Sequence, residues 1–161
     1  MPISPRPAFV LLGLCLFALG CSSATDRLLA QLGDPDPKVR GVAARALGES
    51  SMDAGVTVPA LVKALDDREP TVRLAVALAI AKIDPRNESY VPVLTESLLV
   101  GHGPVFVEVG RMGADAKWAL PTLVKLLSDQ RASIRALAAQ TLGQIVAGKL
   151  GHDDVGNDHV D

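Results

Sequence analysis

Aromatic residues are scarce in this sequence of 161 residues. Phe, Trp and Tyr together make up 3% of the chain, and the formal net charge is −2. Proteins that bind single-stranded nucleic acid stack bases on aromatic side chains, and most nucleic-acid binders carry a basic surface. A mildly acidic chain with so few aromatics meets neither requirement. We therefore expect no nucleic-acid partner.

Recognisable catalytic motifs are missing as well. The sequence has no Gly-x-Ser-x-Gly nucleophile elbow, no glycine loop for phosphate and no Cys-x-x-Cys pair. His152 and His159 stand among aspartates near the end of the chain, and imidazole with carboxylate can bind a divalent metal. We favour a solvated acidic tail, since a disordered segment has no preformed ligand geometry. The expectation is a non-enzymatic protein with no catalytic residues, no cofactor and no bound metal.

Cysteine occurs only twice, in the first part of the chain. Residues 1–20 contain one charged residue, Arg6, and an apolar run of twelve residues from Ala8 to Leu19. That run is too short for an ordinary membrane-spanning helix and has the length of a signal-peptide core. Cleavage before Cys21 would remove Cys15. Cys21 would then be the single cysteine of the mature chain, unable to form an intrachain disulfide.

The sequence before Cys21 resembles a bacterial lipoprotein signal, which ends in a small residue followed by the lipidated cysteine. The Gly-Cys junction fits this pattern, whereas Ala18 and Leu19 depart from the Leu and the Ala or Ser that the family prefers. The resemblance implies that Cys21 is lipidated and that residues 21–24 tether the chain to a membrane of the bacterial cell envelope. Ser22 implies the outer membrane in a Gram-negative host. The alternative is an ordinary secretory signal, with a soluble secreted or periplasmic product.

Three segments of the chain are close copies of one another. They span residues 32–47, 65–80 and 127–142, and each has Leu, Asp, Val or Ile, Arg and an aliphatic residue at offsets 0, 2, 7, 8 and 15. Within each copy, apolar residues recur at helical spacing after a turn, and in the first copy they predict that Val42 lies on the packed face of the helix. Repeats of this kind indicate stacked helix pairs, because each pair buries its apolar face only against its neighbours. We predict an all-α fold, a right-handed α-solenoid of about four helix pairs.

The domain boundaries are predicted from these repeats and from the turn residues between them. A signal peptide at 1–20 and a tether at 21–24 precede the repeat domain at 25–147. The last helix is expected to stop at Gly148. The acidic segment 148–161 has no apolar period and is predicted to be disordered. The units of the repeat domain are expected at about 25–49, 57–83, 90–113 and 118–147.

Each close copy also carries an arginine six residues after an aspartate. The pairs are Asp34 and Arg40, Asp67 and Arg73, and Asp129 and Arg135. This turn and the helix after it resemble HEAT repeats, in particular the short HEAT-like repeats of the phycobilisome-lyase type. The resemblance implies that these residues form a structural ladder between stacked units, a role for which the planar guanidinium is suited. An anion-binding stripe is the alternative for the arginines.

The same resemblance includes enzymes. Deoxyhypusine hydroxylase, a HEAT-like enzyme, binds iron through His-Glu pairs, but no histidine of this chain precedes a glutamate. Another relative attaches bilin chromophores, and no residue here argues for that activity. We expect at most a non-catalytic relative of these lyases and hydroxylases.

The third unit departs from the repeat pattern. Four residues are missing between its turn and the end of its second helix, and both the ladder Asp and the ladder Arg are absent. One interpretation is a degenerate unit in which Glu108 pairs with Arg111 one turn away. The other is a recognition site for a protein partner, since irregular loops on rigid scaffolds often carry function. The candidate partner-binding residues are His102, Phe106, Glu108 and Trp118.

The function expected from these features is that of a membrane-anchored scaffold for protein–protein interaction, with unknown protein partners. Stacked helix pairs create an extended curved face that a partner can bind. The alternative is a structural module that self-associates by end-stacking of its terminal unit. That unit carries Ile134, Leu137, Ala138, Leu142 and Ile145 and has no polar capping repeat after it.

Overall fold

Aspartate and proline residues define several helix starts. The carboxylate of Asp36 accepts a hydrogen bond from the Lys38 backbone N–H (2.9 Å), and Asp53 does the same for Gly55 (2.8 Å). Pro37, the residue after Asp36, is the first helical residue, where its missing N–H costs no hydrogen bond. The turns between copies therefore become helix starts, as the sequence pattern predicts.

The computed structural model describes residues 24–50 and 53–153, which form eight α-helices arranged as four consecutive pairs. Short 3₁₀ segments, Glu88–Tyr90 and Gly113–Ala119, precede the third and fourth pairs. The predicted all-α solenoid of helix pairs is confirmed. The pairs are α1 (Ala24–Gln31) with α2 (Pro37–Glu49), α3 (Ala54–Ala64) with α4 (Pro70–Ile83), α5 (Val91–Val100) with α6 (Gly103–Met112), and α7 (Leu120–Leu126) with α8 (Ala132–Asp153).

The core is mainly aliphatic, with Tyr90 and Phe106 as its aromatic members, and it runs through all four units. On α4, Val72, Val76 and Ile80 are buried, as the helical spacing predicts. Close approach of α2 and α4 depends on small residues, because a Cβ on Gly48 would lie 2.8 Å from the Ala79 Cα. Such contacts let the second helices of units one and two lie side by side.

The shortened third unit interrupts the stacking of second helices. α2 packs along α4 and α6 packs along α8, whereas α4 has little direct contact with α6 and packs on α5 instead. α4 has 14 residues and α6 has 10, so α6 is about one helical turn shorter. An opening therefore lies between the second helices of units two and three.

Gly101 redirects the chain from α5 into α6. It has φ of 90°, and its N–H donates to the carbonyls of Ser97 and Leu98. A residue with a Cβ would be strained at this φ, and its Cβ would lie 2.7 Å from the Ile134 Cδ1. The turn places His102 directly before the first residue of α6.

Three sequence expectations need correction. Val42, expected on the packed face of α2, is 58% exposed. Phe106, a candidate partner contact, is 1% exposed and belongs to the core. The helix expected to stop at Gly148 continues to Asp153, so the backbone of residues 148–153 is helical rather than disordered.

The predictions for residues 1–23, including the signal peptide and the lipidation of Cys21, lie outside the described residues, as does the rest of the acidic tail from residue 154. Within the described ranges, no helix combines the length and apolar character needed to cross a membrane.

Candidate functional site

The ladder between units one and two is a bidentate ion pair. Arg40 Nε lies 2.6 Å from Asp67 Oδ2, and Arg40 Nη2 lies 2.8 Å from Asp67 Oδ1. The Arg40 side chain is 16% exposed and that of Asp67 is 10% exposed. Two parallel charge-assisted hydrogen bonds in a largely covered position fix the relative orientation of the two units.

Each ladder arginine also binds the turn of its own unit. The Nη1 atoms of Arg40, Arg73 and Arg135 donate to the carbonyls of Asp34 (2.9 Å), Asp67 (2.9 Å) and Asp129 (2.8 Å). The six-residue spacing therefore serves a backbone carbonyl and not the carboxylate of the same aspartate. In a regular ladder, this leaves Nε and Nη2 for the aspartate of the next unit, as in Arg40.

Unit three breaks this ladder on both sides. Arg73 donates only through Nη1, to the carbonyls of Asp67 and Arg68, and no carboxylate of the described residues forms an ion pair with it. Its Nε and Nη2 donate to no carboxylate of the described residues, since unit three has no ladder aspartate. Among residues 24–50 and 53–153, the predicted ladder thus exists as a side-chain pair between units one and two and at no other junction.

On the far side of the break, Arg131 replaces the arginine that unit three lacks. Its Nε and Nη2 hold Asp129 of its own turn, both at 2.9 Å. Its Nη1 donates to the Val100 carbonyl at 2.8 Å, and Nη2 also reaches the Leu99 carbonyl at 3.3 Å. Units three and four are therefore joined through backbone carbonyls at the end of α5, whereas Arg73 has no such substitute.

Hydrogen bonds stabilise the charged form of two ladder carboxylates, Asp67 and Asp129. The hydrogen bond from Arg40, with that from the Glu69 backbone N–H, holds the pKa of Asp67 below its ordinary value. Hydrogen bonds from the Arg131 side chain and backbone lower the pKa of Asp129 to about 2. Both aspartates therefore remain ionised at neutral pH and keep their arginine partners.

A groove of about 740 Å³ occupies the opening beside the shortened unit. α2 and α4 form most of its wall, and the start of α6 closes one end. Aliphatic side chains dominate it, and Lys38, Arg45 and Glu69 add charge. We call this surface the second-helix groove. Its lining residues are Pro37, Lys38, Gly41, Val42, Arg45, Glu69, Thr71, Leu74, Ala75, Leu78, His102 and Pro104.

A smaller cavity of about 150 Å³ adjoins the groove between α4 and α5. It contains Arg73, the arginine without a next-unit carboxylate, and we call it the Arg73 cavity. Thr71, Leu74 and His102 line both spaces, so the two form one continuous depression. The other residues of the Arg73 cavity are Pro70, Val93, Glu96, Ser97 and Val100.

The four predicted partner-binding residues do not form one surface. His102 is exposed and lines both the groove and the cavity. Phe106 is in the core, which makes a direct partner contact inconsistent with its position, and its backbone carbonyl accepts a hydrogen bond from the buried Thr141. Glu108 pairs with Arg111 at 3.4 Å, the arrangement expected for a degenerate unit.

Trp118, the fourth predicted residue, has a structural position. It is partly buried and contacts Tyr90 edge to face, with ring centroids 6.0 Å apart and an interplanar angle of 74°. Tyr90 is buried, its hydroxyl donates to the Pro85 carbonyl (2.8 Å), and burial raises its pKa. The two rings join the connector before α5 to the one before α7.

The groove residues on α2 and α4 were not among the sequence candidates. Val42 and Leu78 have the aliphatic character and spacing of core positions, which concealed their role in the groove wall. The signal that the sequence does contain is the four-residue deletion in unit three, which makes α6 about one helical turn shorter than α4.

The described residues contain no cluster of three or more His, Cys, Asp or Glu side chains that could hold a metal ion. Comparison with protein families gives two matches. A family described as HEAT repeats matches residues 25–109, and one described as HEAT repeat matches residues 119–148. No curated protein matches the sequence.

Proposed function

Because the chain belongs to the HEAT repeat family, we propose that it is a non-catalytic scaffold that binds a protein partner in the second-helix groove. The observation that carries this proposal is the interruption between α4 and α6. It leaves a groove of about 740 Å³ with aliphatic walls on helices that are fixed by the Arg40–Asp67 pair.

The chemistry of the groove suits a polypeptide segment. Val42 is 58% exposed at its wall, and Leu74, Leu78 and Pro104 extend the apolar surface. Covering these side chains would contribute roughly 25 cal/mol per Å² of apolar surface. Lys38 and Arg45 at the groove favour a partner segment with acidic residues beside its apolar ones.

Substitution of Val42 by glutamate tests this role. The exposed position tolerates a carboxylate without loss of folding, but an apolar partner segment would have to desolvate it. We expect Val42→Glu to abolish co-purification of the partner from envelope extracts. The matched control is Val124→Glu on α7, which is 57% exposed and lies outside the groove. Equal recovery of the partner with both variants would contradict the proposal.

We further propose that Cys21 carries a lipid and anchors the chain in the bacterial cell envelope. The support is the lipoprotein-like signal that ends at the Gly-Cys junction. Anchoring confines the groove to a membrane surface and raises its effective concentration for partners there. Intact mass of protein from host membranes, with Cys21→Ala as control, tests the anchor. A chain that begins at Cys21 without acyl mass would instead be a secreted or periplasmic protein.

Self-association by end-stacking is the second candidate function. Within the part of the chain that the structure describes, Arg135 donates to carbonyls of its own turn, at Asp129 and Gln130. The Asp34 carboxylate, at the other end of the ladder, accepts from the Asp36 backbone N–H. A head-to-tail stack would pair Arg135 of one copy with Asp34 of the next. Of the five apolar residues expected at the open end, three are buried, and Leu137 and Leu142 are partly buried.

The mass of the protein in solution distinguishes the two functions. Head-to-tail stacking predicts a mass that rises with concentration and returns to that of the monomer in an Arg135→Glu variant. A protein that remains monomeric at all concentrations would favour partner binding in the second-helix groove over self-association.

A further inference from the structure

We propose that the Arg73 cavity binds an aspartate or glutamate side chain of the protein partner, which takes the place of the carboxylate that unit three lacks. This inference deepens the proposed protein-binding function and rests on it. It assigns a specific contact to one end of the depression in which the partner lies.

The chain itself shows how this site binds a carboxylate. Arg40 and Arg73 occupy the same position in consecutive units, and both use Nη1 for the carbonyls of their own turn. Arg40 uses Nε and Nη2 to hold both oxygens of Asp67. Arg73 presents the same two donors without a carboxylate from the described residues. An arginine fork binds a carboxylate in the bidentate manner that a lysine cannot reproduce.

The position of the missing carboxylate is occupied by an aliphatic residue. Val100 lies 33 residues after Asp67, in the period that relates unit three to unit two. It is 67% exposed and lines the Arg73 cavity. The cavity of about 150 Å³ therefore opens where a ladder aspartate would otherwise stand.

The dimensions and the lining of the cavity suit an acidic side chain attached to an apolar segment. A volume of about 150 Å³ exceeds the roughly 30 Å³ of one water molecule several-fold, which leaves room for a carboxylate group. Leu74, Val93 and Val100 give the walls aliphatic surface, and exposed His102 stands at the border with the groove. A partner segment with an acidic residue next to an aliphatic one would place its carboxylate at Arg73 and its apolar side chain against these walls.

Glu96 is the competing carboxylate in the chain itself. It lines the cavity from α5 but is exposed and forms no ion pair with Arg73. Its negative charge lowers the affinity of the cavity for an acidic ligand. We therefore expect Glu96→Gln to strengthen binding.

The first experiment uses a peptide copied from the turn whose ladder aspartate, Asp67, is bound by Arg40 of the preceding unit. A fluorescent peptide with the sequence of residues 61–72, LVKALDDREPTV, contains Asp67 in its turn. The matched peptide has asparagine in place of that aspartate. Fluorescence polarisation with the purified protein should show binding of the aspartate peptide about tenfold tighter than the asparagine peptide, since a bidentate charge-assisted contact is lost.

Variants of the protein locate the contact. Arg73→Lys should remove most of the preference for the aspartate peptide because a lysine lacks the fork, whereas Arg111→Lys on exposed α6 surface should leave it unchanged. Val100→Asp leaves the hydrogen bonds of Arg73 to its own turn in place and adds a carboxylate at the cavity. Val100→Asp should therefore reduce binding of the aspartate peptide at least as strongly as Arg73→Lys does. Because Val100→Asp keeps Arg73 in place, it tests the contact independently of any loss of stability in the Arg73→Lys variant.

Three results of the peptide titrations would overturn the inference. They are equal affinity for the two peptides, a preference that persists in both Arg73→Lys and Val100→Asp, and no binding of either peptide at millimolar concentration. Displacement of the peptide by acetate or sulfate at equal concentration would show a general anion site and would also overturn the assignment to a protein side chain. Partner loss in Val42→Glu with an unchanged partner affinity in Arg73→Lys would retain the groove and reject this contact alone.

Discussion

Arg40 of the first unit and Asp67 of the second form a bidentate pair that is mostly covered from solvent, with both nitrogen–oxygen distances at or below 2.8 Å. The same carboxylate accepts the Glu69 backbone N–H at 2.9 Å. One aspartate thus orders its own turn and ties it to the preceding unit. This relationship explains why the repeat keeps an aspartate and an arginine at fixed offsets.

We expect Arg40→Lys and Asp67→Asn each to lower the free energy of unfolding, and the double variant to lose less than the sum of the two. The two losses of free energy overlap because either substitution alone already breaks the same pair of hydrogen bonds. Asparagine can still accept from the Glu69 N–H, so the turn is preserved. Urea unfolding of the four proteins measures the coupling. Arg111→Lys, in an exposed pair, is the control with little expected effect. Additive losses would indicate that the pair contributes no coupling.

We expect the free energy of unfolding to decrease in acid as the ladder aspartates Asp67 and Asp129 become protonated. The folded-state pKa of Asp129 is about 2 and that of Asp67 is also lowered, whereas an unfolded aspartate titrates near about 3.9. A depressed folded pKa contributes stability above the unfolded value, and this contribution is lost as pH falls through the folded value. Urea midpoints should therefore decrease from about pH 5 to about pH 2. Asp129→Asn should flatten that dependence, and an unchanged profile in this variant would oppose the assignment.

Gly48→Ala and Gly143→Ala should have opposite effects on stability. Both glycines lie in helices, where alanine is favoured by about 0.8–1 kcal/mol. A Cβ at Gly143 meets no atom within 4 Å, whereas one at Gly48 would lie 2.9 Å from the Ala79 Cβ. We expect Gly143→Ala to stabilise by about 0.5–1 kcal/mol and Gly48→Ala to destabilise by about 1–3 kcal/mol through overpacking. Thermal unfolding of both variants measures the difference. Stabilisation by Gly48→Ala would mean that α2 and α4 are not held this closely.

Alanine substitutions of Phe106 and its neighbour Val107 distinguish a core position from a surface position of α6. Phe106 is 1% exposed and Val107 is 47% exposed. Phe106→Ala should lower the free energy of unfolding by about 3–5 kcal/mol through the cavity it leaves, and Val107→Ala should change it by about 0.5 kcal/mol or less. Chemical denaturation gives both values. If Phe106→Ala were as mild as Val107→Ala, its placement in the core would be wrong.

The architecture is readable from the sequence because it depends on short-range regularity. Pro37 and Pro70 begin second helices, and Val72, Val76 and Ile80 follow with helical spacing, so each helix and its buried face are encoded within about one unit. The resemblance to HEAT repeats adds the order in which the units stack. These local patterns suffice for the fold class.

The candidate site is harder to predict from the sequence because it arises from residues that unit three lacks. Val42 has the sequence pattern of a core residue, but in the structure it is 58% exposed on the wall of the groove. As an aromatic residue beside the interruption, Phe106 is a reasonable candidate for a partner contact. In the structure its side chain is buried in the core, and its backbone carbonyl accepts a hydrogen bond from Thr141 on α8. Arg73 ends the same Pro-x-Val-Arg pattern as Arg40, and the next unit determines whether its guanidinium meets a carboxylate. These outcomes depend on contacts between units, which single-unit patterns do not specify.

The central claim is that the interruption at unit three makes the second-helix groove a protein-binding surface, and site-specific photocrosslinking tests it most directly. The photoreactive residue p-benzoylphenylalanine would replace Val42 in the groove or, separately, Val146 on α8, which is 53% exposed at the terminal unit. The account predicts an adduct between the Val42 position and a different polypeptide in envelope extracts, with no such adduct from Val146. Adducts with a second copy of the chain at Val146, and none at Val42, would contradict the claim and identify the protein as a self-stacking module.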